Sequence, residues 1–311
     1  MTVSELGEFG LIRRVTTGLP QVDSTVLGPG DDAAVVAAAD GRVVVTTDLL
    51  VEGRHFRRDW STANDIGHKA AARSFADVVA MGAVPTALVV GFAAPGDLDV
   101  EWVDGLVAGL REECGEVGAA IVGGDVTAAD VVTIAVTALG DLGGREPLTI
   151  SGARPGDVVA IAGRLGWAAA GFAVLGRGFR SPVQVVTAHR RPEPPYAQGA
   201  EAAAAGATSL TDVSDGLVAD LGHIAEASGV RIDLEAARID VPAKLREVGA
   251  ALNVDPLVWV VTGGDDYALA GTFPAKAKLS DAWTVVGRVS EGEGVRVDGR
   301  RWAVGGHEHW R

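Results

Sequence analysis

Short apolar runs alternate with helix-length segments along this chain, and glycine or proline marks nearly every junction between them. Such alternation forces a layered fold in which helices cover sheets, because each element has one apolar face to bury. Val43 to Thr47 (VVVTT) is short and β-branched and reads as a buried strand. Ser61 to Met81 starts with cap-competent Ser61 and Thr62, runs through alanine-rich sequence and stops at Gly82, so the pattern predicts a helix. Strands are expected at 87–92, 119–122 and 131–139, with a helix over 101–114 between the first two. A cluster of breakers follows: Gly143-Gly144, Ser151-Gly152 and Pro155-Gly156. Beyond it the alternation resumes, with a strand at 158–162, helices over 167–175 and 217–227, and a proline-rich crossing at 192–195. Short strands are expected near Arg231, Leu269, Val285 and Val304. The expected organisation is two α/β domains of the α+β type, 1–145 and 146–311, with no short fixed repeat.

The 311 residues suffice for two domains at ~150 each. With 41 acidic and 27 basic residues the formal charge is −14, the wrong field for a nucleic-acid backbone or an anionic membrane face. A phosphate-handling protein of this charge needs a divalent cation to screen its substrate. One cysteine, Cys114, excludes an intramolecular disulfide framework and a multi-cysteine metal site. The N-terminal stretch carries Glu5 and Glu8 and lacks an apolar segment, so no signal peptide is read there. The uncharged run from Val78 to Gly96 is interrupted by Gly82, Pro85 and Gly91, which suits a helix end and a strand rather than a membrane span. A cytoplasmic protein that binds neither nucleic acid nor membrane is expected.

Four segments set Asp beside Gly, Ser or Thr in expected loops: Gly28-Pro29-Gly30-Asp31-Asp32, Gly123-Gly124-Asp125-Val126-Thr127, Thr211 to Gly216 (TDVSDG) and Thr262 to Asp266 (TGGDD). A fifth, Thr46-Thr47-Asp48, is expected to close a strand. Any one alone is ordinary turn chemistry, because Asp bonds its own backbone and tolerates left-handed φ, and Asp215 could simply cap a helix. Together they offer the oxygen ligands that Mg²⁺ prefers, one or two carboxylates per ion with water and phosphate completing the shell. Glycine lets such loops approach a phosphate closely. In open α/β sheets, ligands bind beyond the carboxyl ends of strands.

Asp77 lies inside a helix four residues after Arg73, which leaves two readings open: an i,i+4 ion pair, or a carboxylate at the edge of a buried face. His55 has no second histidine nearby to make a zinc pair. Lys69 and Arg73 read either as phosphate ligands or as solvated helix residues. The chain has no G-x-x-x-x-G-K-[ST], no protein-kinase signatures, no G-x-S-x-G and no H-E-x-x-H. Phosphate chemistry here must be of the multi-carboxylate, multi-metal kind.

The ordered set GPGDDAAVV, TTDLLVEGRHF, KAAARSFADVVAMGA, GGDVT, SGARPGD, TDVSDGLVADLGHIAEASG and TGGDDYAL resembles the thiamine-monophosphate kinase family, within the superfamily of aminoimidazole ribonucleotide synthetase. The similarity runs from about Glu5 to the tail, and TTDLLVEGRHF and TDVSDGL are its most specific segments. The resemblance implies a two-domain fold that pairs through its N-terminal sheets in a homodimer. It implies ATP-dependent phosphorylation of thiamine monophosphate to thiamine diphosphate. A phosphate monoester acceptor is mostly dianionic at neutral pH, so direct in-line transfer without a general base is expected. Asp32, Thr46, Thr47, Asp48, Asp77, Asp125, Asp212 and Asp215 would hold several Mg²⁺ ions around the ATP phosphates. Gly124, Asp125 and Ser214 would contact ATP, and His55, Asp265 and Trp310 would face the thiamine phosphate.

Two positions depart from the family pattern. Asp265 stands where the family commonly has Glu, and Ile150 where it often carries Arg just before Ser151-Gly152-Ala153. The alternatives are an aminoimidazole ribonucleotide synthetase-like ligase, which TTDLLVEGRHF disfavours, and a non-catalytic Mg-nucleotide sensor, which would have little use for so many carboxylates.

Overall fold

The computed structural model describes residues 1–30 and 33–302. Asp31, Asp32, Val304 and Trp310 lie outside them. The chain folds into two units, one of Met1–Val78 with Ala83–Gly144, the other of Val79–Gly82 with Arg145 onward.

The first unit begins with helices α1 (Val3–Leu6) and α2 (Glu8–Thr16) and a small antiparallel pair, β1 (Thr25–Leu27) and β2 (Val35–Val36). Its main sheet is formed by β3 (Val44–Val51), β4 (Val84–Ala94), β5 (Ala120–Ala128) and β6 (Thr133–Asp141) in the order β3-β6-β4-β5. Helices α3 (Ala63–Ala80) and α4 (Val100–Val117) complete it. Side chains alternate between faces along each strand. Leu50, Leu88, Ile134, Val136 and Ala138 are fully buried, while Val45, Leu49 and Val89 on the other face are 60%, 55% and 37% exposed. Part of that second face is covered where Val22, Ala34 and Val36 pack on Ala87, Ala120 and Val122.

Two strands run further than the sequence suggests. Asp48, expected at a strand end, sits in the middle of β3, because β3 pairs with β6 without interruption from Val44 to Val51. Gly123-Gly124-Asp125, expected in a loop, belongs to β5, which pairs with β4 as far as Ala128. Glycines and an aspartate persist there because β5 is an edge strand with a single partner.

The second unit holds β7 (Val158–Ala162), α5 (Trp167–Gly176), α6 (Val183–Arg190), α7 (Tyr196–Ala204), β8 (Ser209–Val213), α8 (Leu217–Ser228) and β9 (Arg231–Leu234). A short 3₁₀ turn (Ala236–Arg238), α9 (Ala243–Leu252), α10 (Pro256–Thr262), β10 (Ala268–Phe273), β11 (Trp283–Ser290), β12 (Gly294–Val297) and β13 (Arg300–Arg301) follow. The seven strands order as β13-β12-β9-β11-β7-β10-β8. Phe273 and Trp283 meet edge to face at 5.0 Å in the core of this unit, beside Leu210, Leu269 and Val79. Among the described residues, β4–β5 and β9–β12 pair in parallel and the other strand pairs are antiparallel. Among the described residues, no helix is long and apolar enough to cross a membrane.

Candidate active site

In the first unit, strand alternation decides which side chains meet. Thr46, Asp48 and Leu50 share the face of β3 that α3 covers. Thr46 Oγ1 donates to Asp77 Oδ2 at 2.7 Å. Asp48 takes Arg73 Nη2 on one oxygen at 3.1 Å and Ser74 Oγ on the other at 2.9 Å. Arg73 therefore turns to Asp48 across the fold, rather than forming its hydrogen-bonded ion pair with Asp77 on the same helix. Nor are Lys69 and Arg73 solvated helix residues: Lys69 is 3% exposed and Arg73 is half-buried. Burial pushes the Asp77 carboxyl up to about 6; neighbouring Asp48 adds to that, against the Thr46 hydrogen bond and the Arg73 charge. A place with this much negative charge favours a cation.

Thr47 points to the opposite, exposed face, where its hydroxyl accepts from Thr137 Oγ1 at 3.1 Å. Three strand spacings, about 14 Å, separate β3 from β5, so Asp125 does not join Asp48 and Asp77 within this sheet. Asp125 is exposed, with its carboxylate accepting the N–H of Val126 at 2.9 Å. Gly124 has a steric reason to be glycine, since a Cβ there would lie 2.1 Å from the Val90 carbonyl oxygen. An apolar cavity of about 120 Å³ opens beside this segment, lined by Ile12 and Val15 of α2, Val107 of α4, and Phe92, Gly124 and Val126. His55, half-buried past the end of β3, accepts the Val51 N–H on Nδ1 at 3.0 Å. An imidazole accepting on Nδ1 carries its proton on Nε2, so it presents a donor there.

In the second unit, two segments some fifty residues apart are joined through the backbone. Asp265 N–H donates to Ser214 C=O at 2.9 Å, and Tyr267 N–H to Val213 C=O at 3.0 Å. Gly264 allows this approach, because a Cβ there would meet the Ser214 oxygen at 2.2 Å. Ser214, Asp215 and Asp265 thus form one neighbourhood at the end of β8, with Asp212 buried in the strand itself. Asp265 adopts φ 66°, and its Oδ1 accepts the Tyr267 hydroxyl at 2.9 Å.

Two buried carboxylates that sequence reading did not single out hold these loops. Asp220, in the first turn of α8, accepts the N–H groups of Asp215 and Gly216 on one oxygen, both at 3.0 Å. Asp266 accepts Gly166 N–H at 2.5 Å and Ala168 N–H at 2.8 Å, fixing the start of α5. Burial pushes both carboxyls up to about 7, against the backbone donors that favour their charged forms. For Asp220 the available signal was Asp near the start of an expected helix, which ordinary capping also explains; Asp266 offered only its place beside Asp265 in the TGGDD segment. With Asp220 there, the N–H groups of Asp215 and Gly216 are directed to a carboxylate rather than to a substrate anion. This loop can therefore meet phosphates through a cation held by its own carboxylates.

Among the described residues, no three His, Cys, Asp or Glu side chains gather closely enough to cage a metal ion. The donors present, carboxylates with a threonine hydroxyl, fit Mg²⁺, which retains water and substrate oxygens in its shell.

The family descriptions "AIR synthase related protein, N-terminal domain" and "C-terminal domain" match residues 30–142 and 154–300. A thiamine-monophosphate kinase of Mycobacterium tuberculosis strain H37Rv is 48% identical over 312 residues, covering 100% of this chain and 92% of that protein. The chain belongs to the thiamine-monophosphate kinase family. A relative of the same name from Corynebacterium glutamicum is 44% identical over 279 residues, 87% of this chain and 83% of its own. A solved structure of AaThiL complexed with AMPPCP and TMP superposes with a TM-score of 0.83 at 31% identity, covering 100% of this chain and 99% of that one. Asp265 is one of the few non-glycine residues at positive φ among those described. Asp is several-fold enriched among non-glycine residues at positive φ, the conformation this loop requires.

Proposed function

We propose that this chain transfers the terminal phosphoryl group of ATP to thiamine monophosphate, giving thiamine diphosphate and ADP. The observation that carries the reading is the full-length likeness to a protein solved with AMPPCP and TMP. The site chemistry suits it. A phosphate monoester has a second pKa near ~6, so the acceptor is mostly dianionic at neutral pH and needs no general base. An acceptor oxygen forms the new bond to the γ-phosphorus as the bond to the ADP oxygen breaks, in line and without a phosphoenzyme.

Mg²⁺, when bound, neutralises charge on the transferring phosphoryl group and orients it. Asp32, Thr46, Asp48, Asp77 and Asp125 of the N-terminal domain, and Asp212 and Asp215 of the C-terminal domain, are assigned to several such ions; Thr47, whose hydroxyl lies on the opposite face of β3, is assigned to a different ion from Thr46 and Asp77. Gly124, Asp125 and Ser214 are assigned to ATP, with the apolar cavity beside Gly124 taking the adenine ring. His55, donating from Nε2, and Asp265 are assigned to thiamine monophosphate, together with Trp310. An acidic surround also favours the cationic thiazolium. The exposed face of the first sheet, with Val45, Leu49 and Val89, is assigned to a homodimer contact.

The test is ATP turnover with Mg²⁺, offering thiamine, thiamine monophosphate and an aminoimidazole precursor in parallel, with products identified chromatographically. Thiamine diphosphate formed from the monophosphate alone, and lost in Asp48→Asn and Asp212→Asn, is the expected result. ATP binding without turnover on any acceptor would replace the kinase with a nucleotide sensor.

A further inference from the structure

Asp220 is 4% exposed and carries a carboxylate with no counter-cation among its hydrogen-bond partners, which are backbone N–H groups of the loop ahead of α8. The N-cap of that helix is Gly216, which has no side chain to cap the first turn. A side chain at the N-cap would satisfy N–H groups inside the helix, at N2 or N3, and a capping box would add a bond back to the N-cap N–H alone. Asp220 instead reaches backward out of the helix, to Gly216 at the cap and to Asp215 before it. Those two N–H groups flank the peptide that carries the Asp215 side chain, and Ser214 comes immediately before.

The same loop is held from its other side. Ser214 C=O accepts the Asp265 N–H, and Gly264 packs against that carbonyl. The Ser214–Asp215 peptide region is therefore clamped between a carboxylate behind it and the Gly264–Asp265 backbone beside it. Only the first clamp is made by a side chain, so only it can be removed by one substitution that leaves the backbone sequence of both loops intact.

We infer that Asp220 is a positioning residue for the nucleotide–metal site: by holding the Asp215 and Gly216 N–H groups it fixes the directions of the Ser214 and Asp215 side chains. The inference rests on the assignment of Ser214 to ATP and Asp215 to Mg²⁺. Asp220 acts through those backbone groups, to which its hydrogen bonds go. Its removal leaves the buried Gly216 N–H and the half-buried Asp215 N–H without this acceptor, and the buried one can find another only by moving the loop.

The experiment is a titration of the full chain with Mn²⁺ and a non-hydrolysable ATP analogue, followed by the Mn²⁺ resonance signal, with thermal unfolding run alongside. Asp220→Ala is expected to weaken Mn²⁺–nucleotide binding by about 10–100-fold, the usual cost of losing a residue that orients a ligand. Asp220→Asn keeps a neutral acceptor of about half the strength and is expected to lose about fivefold. Amide exchange at Asp215 and Gly216 should speed up in the same order. A folded Asp220→Ala that binds as the parent does overturns the inference. Should Asp220→Ala not fold, Asp220→Asn decides alone, and unchanged binding in it overturns the inference equally. If the parent chain binds no Mn²⁺–nucleotide, the kinase reading falls and this inference with it. Binding by the parent and both variants alike removes only the role of Asp220.

Discussion

The Thr46 hydroxyl donates to the Asp77 carboxylate at 2.7 Å, joining the centre of an edge strand to a helix that starts seventeen residues further on. One step along β3, Asp48 is held by Arg73 and Ser74 of that same helix. These three contacts set two carboxylates on one strand–helix seam, with the hydroxyls of Thr46 and Ser74 and the Arg73 guanidinium as their donors. A helix residue that the sequence leaves ambiguous is thereby placed in the acidic cluster of the first unit.

Asp77→Asn should reduce kcat/KM for thiamine monophosphate by at least about 100-fold, since electrostatic support of this kind is worth several kcal/mol and each ~1.4 kcal/mol is a factor of ten. Far-UV circular dichroism should be unchanged, because the amide still accepts from Thr46. Thr46→Val should lower activity less, by about tenfold, by releasing Asp77 from its orientation. Steady-state kinetics at several Mg²⁺ concentrations reads both, and full activity in Asp77→Asn would remove this residue from the site.

Stability in the absence of metal should fall as pH rises from about 4 to about 7. Asp266 has a folded pKa pushed up to about 7 by burial, whereas an unfolded Asp titrates near ~3.9. Across that window the folded chain keeps a proton the unfolded chain has released, so raising the pH favours unfolding. Below it both states are protonated, and above it both are ionised and the slope vanishes. Urea unfolding at pH 4.5, 6 and 7.5 should show a smaller slope in Asp266→Asn, by on the order of 2–4 kcal/mol over the window. An identical slope in the variant would mean that the backbone donors of Gly166 and Ala168 keep Asp266 ionised.

Gly124→Ala should damage nucleotide binding through sterics alone. The added methyl would lie 2.1 Å from the Val90 carbonyl oxygen, so β4 and β5 must part. Overpacking of this kind costs about 1–3 kcal/mol. Thermal unfolding should register the loss, and ATP affinity should fall with it; a stable variant with normal ATP binding would contradict the packing described here.

Charge on the exposed sheet face should dissociate the proposed homodimer. Val45→Glu combined with Leu49→Glu places two carboxylates on residues that are 60% and 55% exposed. Sedimentation velocity should give a dimer for the parent chain and a monomer for the double variant. A parent chain that sediments as a monomer would show that this face is not a self-association surface.

The sequence by itself determined the classes of element and the types of donor available. β-branched runs, alanine-rich helices and a breaker cluster after Gly143 are local signals, and they mark the strand at 158–162 and the helices α3, α5 and α8 to within a few residues. The acidic Gly-Asp and Ser-Asp segments announce oxygen ligands for a hard cation, because residue type alone fixes donor chemistry. Tertiary structure decided which of those oxygens meet. Strand alternation sends Thr46 and Asp48 toward α3 and Thr47 away from it, and pairing with β6 carries β3 past Asp48 instead of ending there. Arg73 chooses Asp48 over Asp77, and Asp220 and Asp266 become loop clamps, because burial forces each polar group to find whatever partner the fold supplies. Donor type is written residue by residue, but proximity depends on sheet order and register, which arise from contacts between segments far apart in the chain.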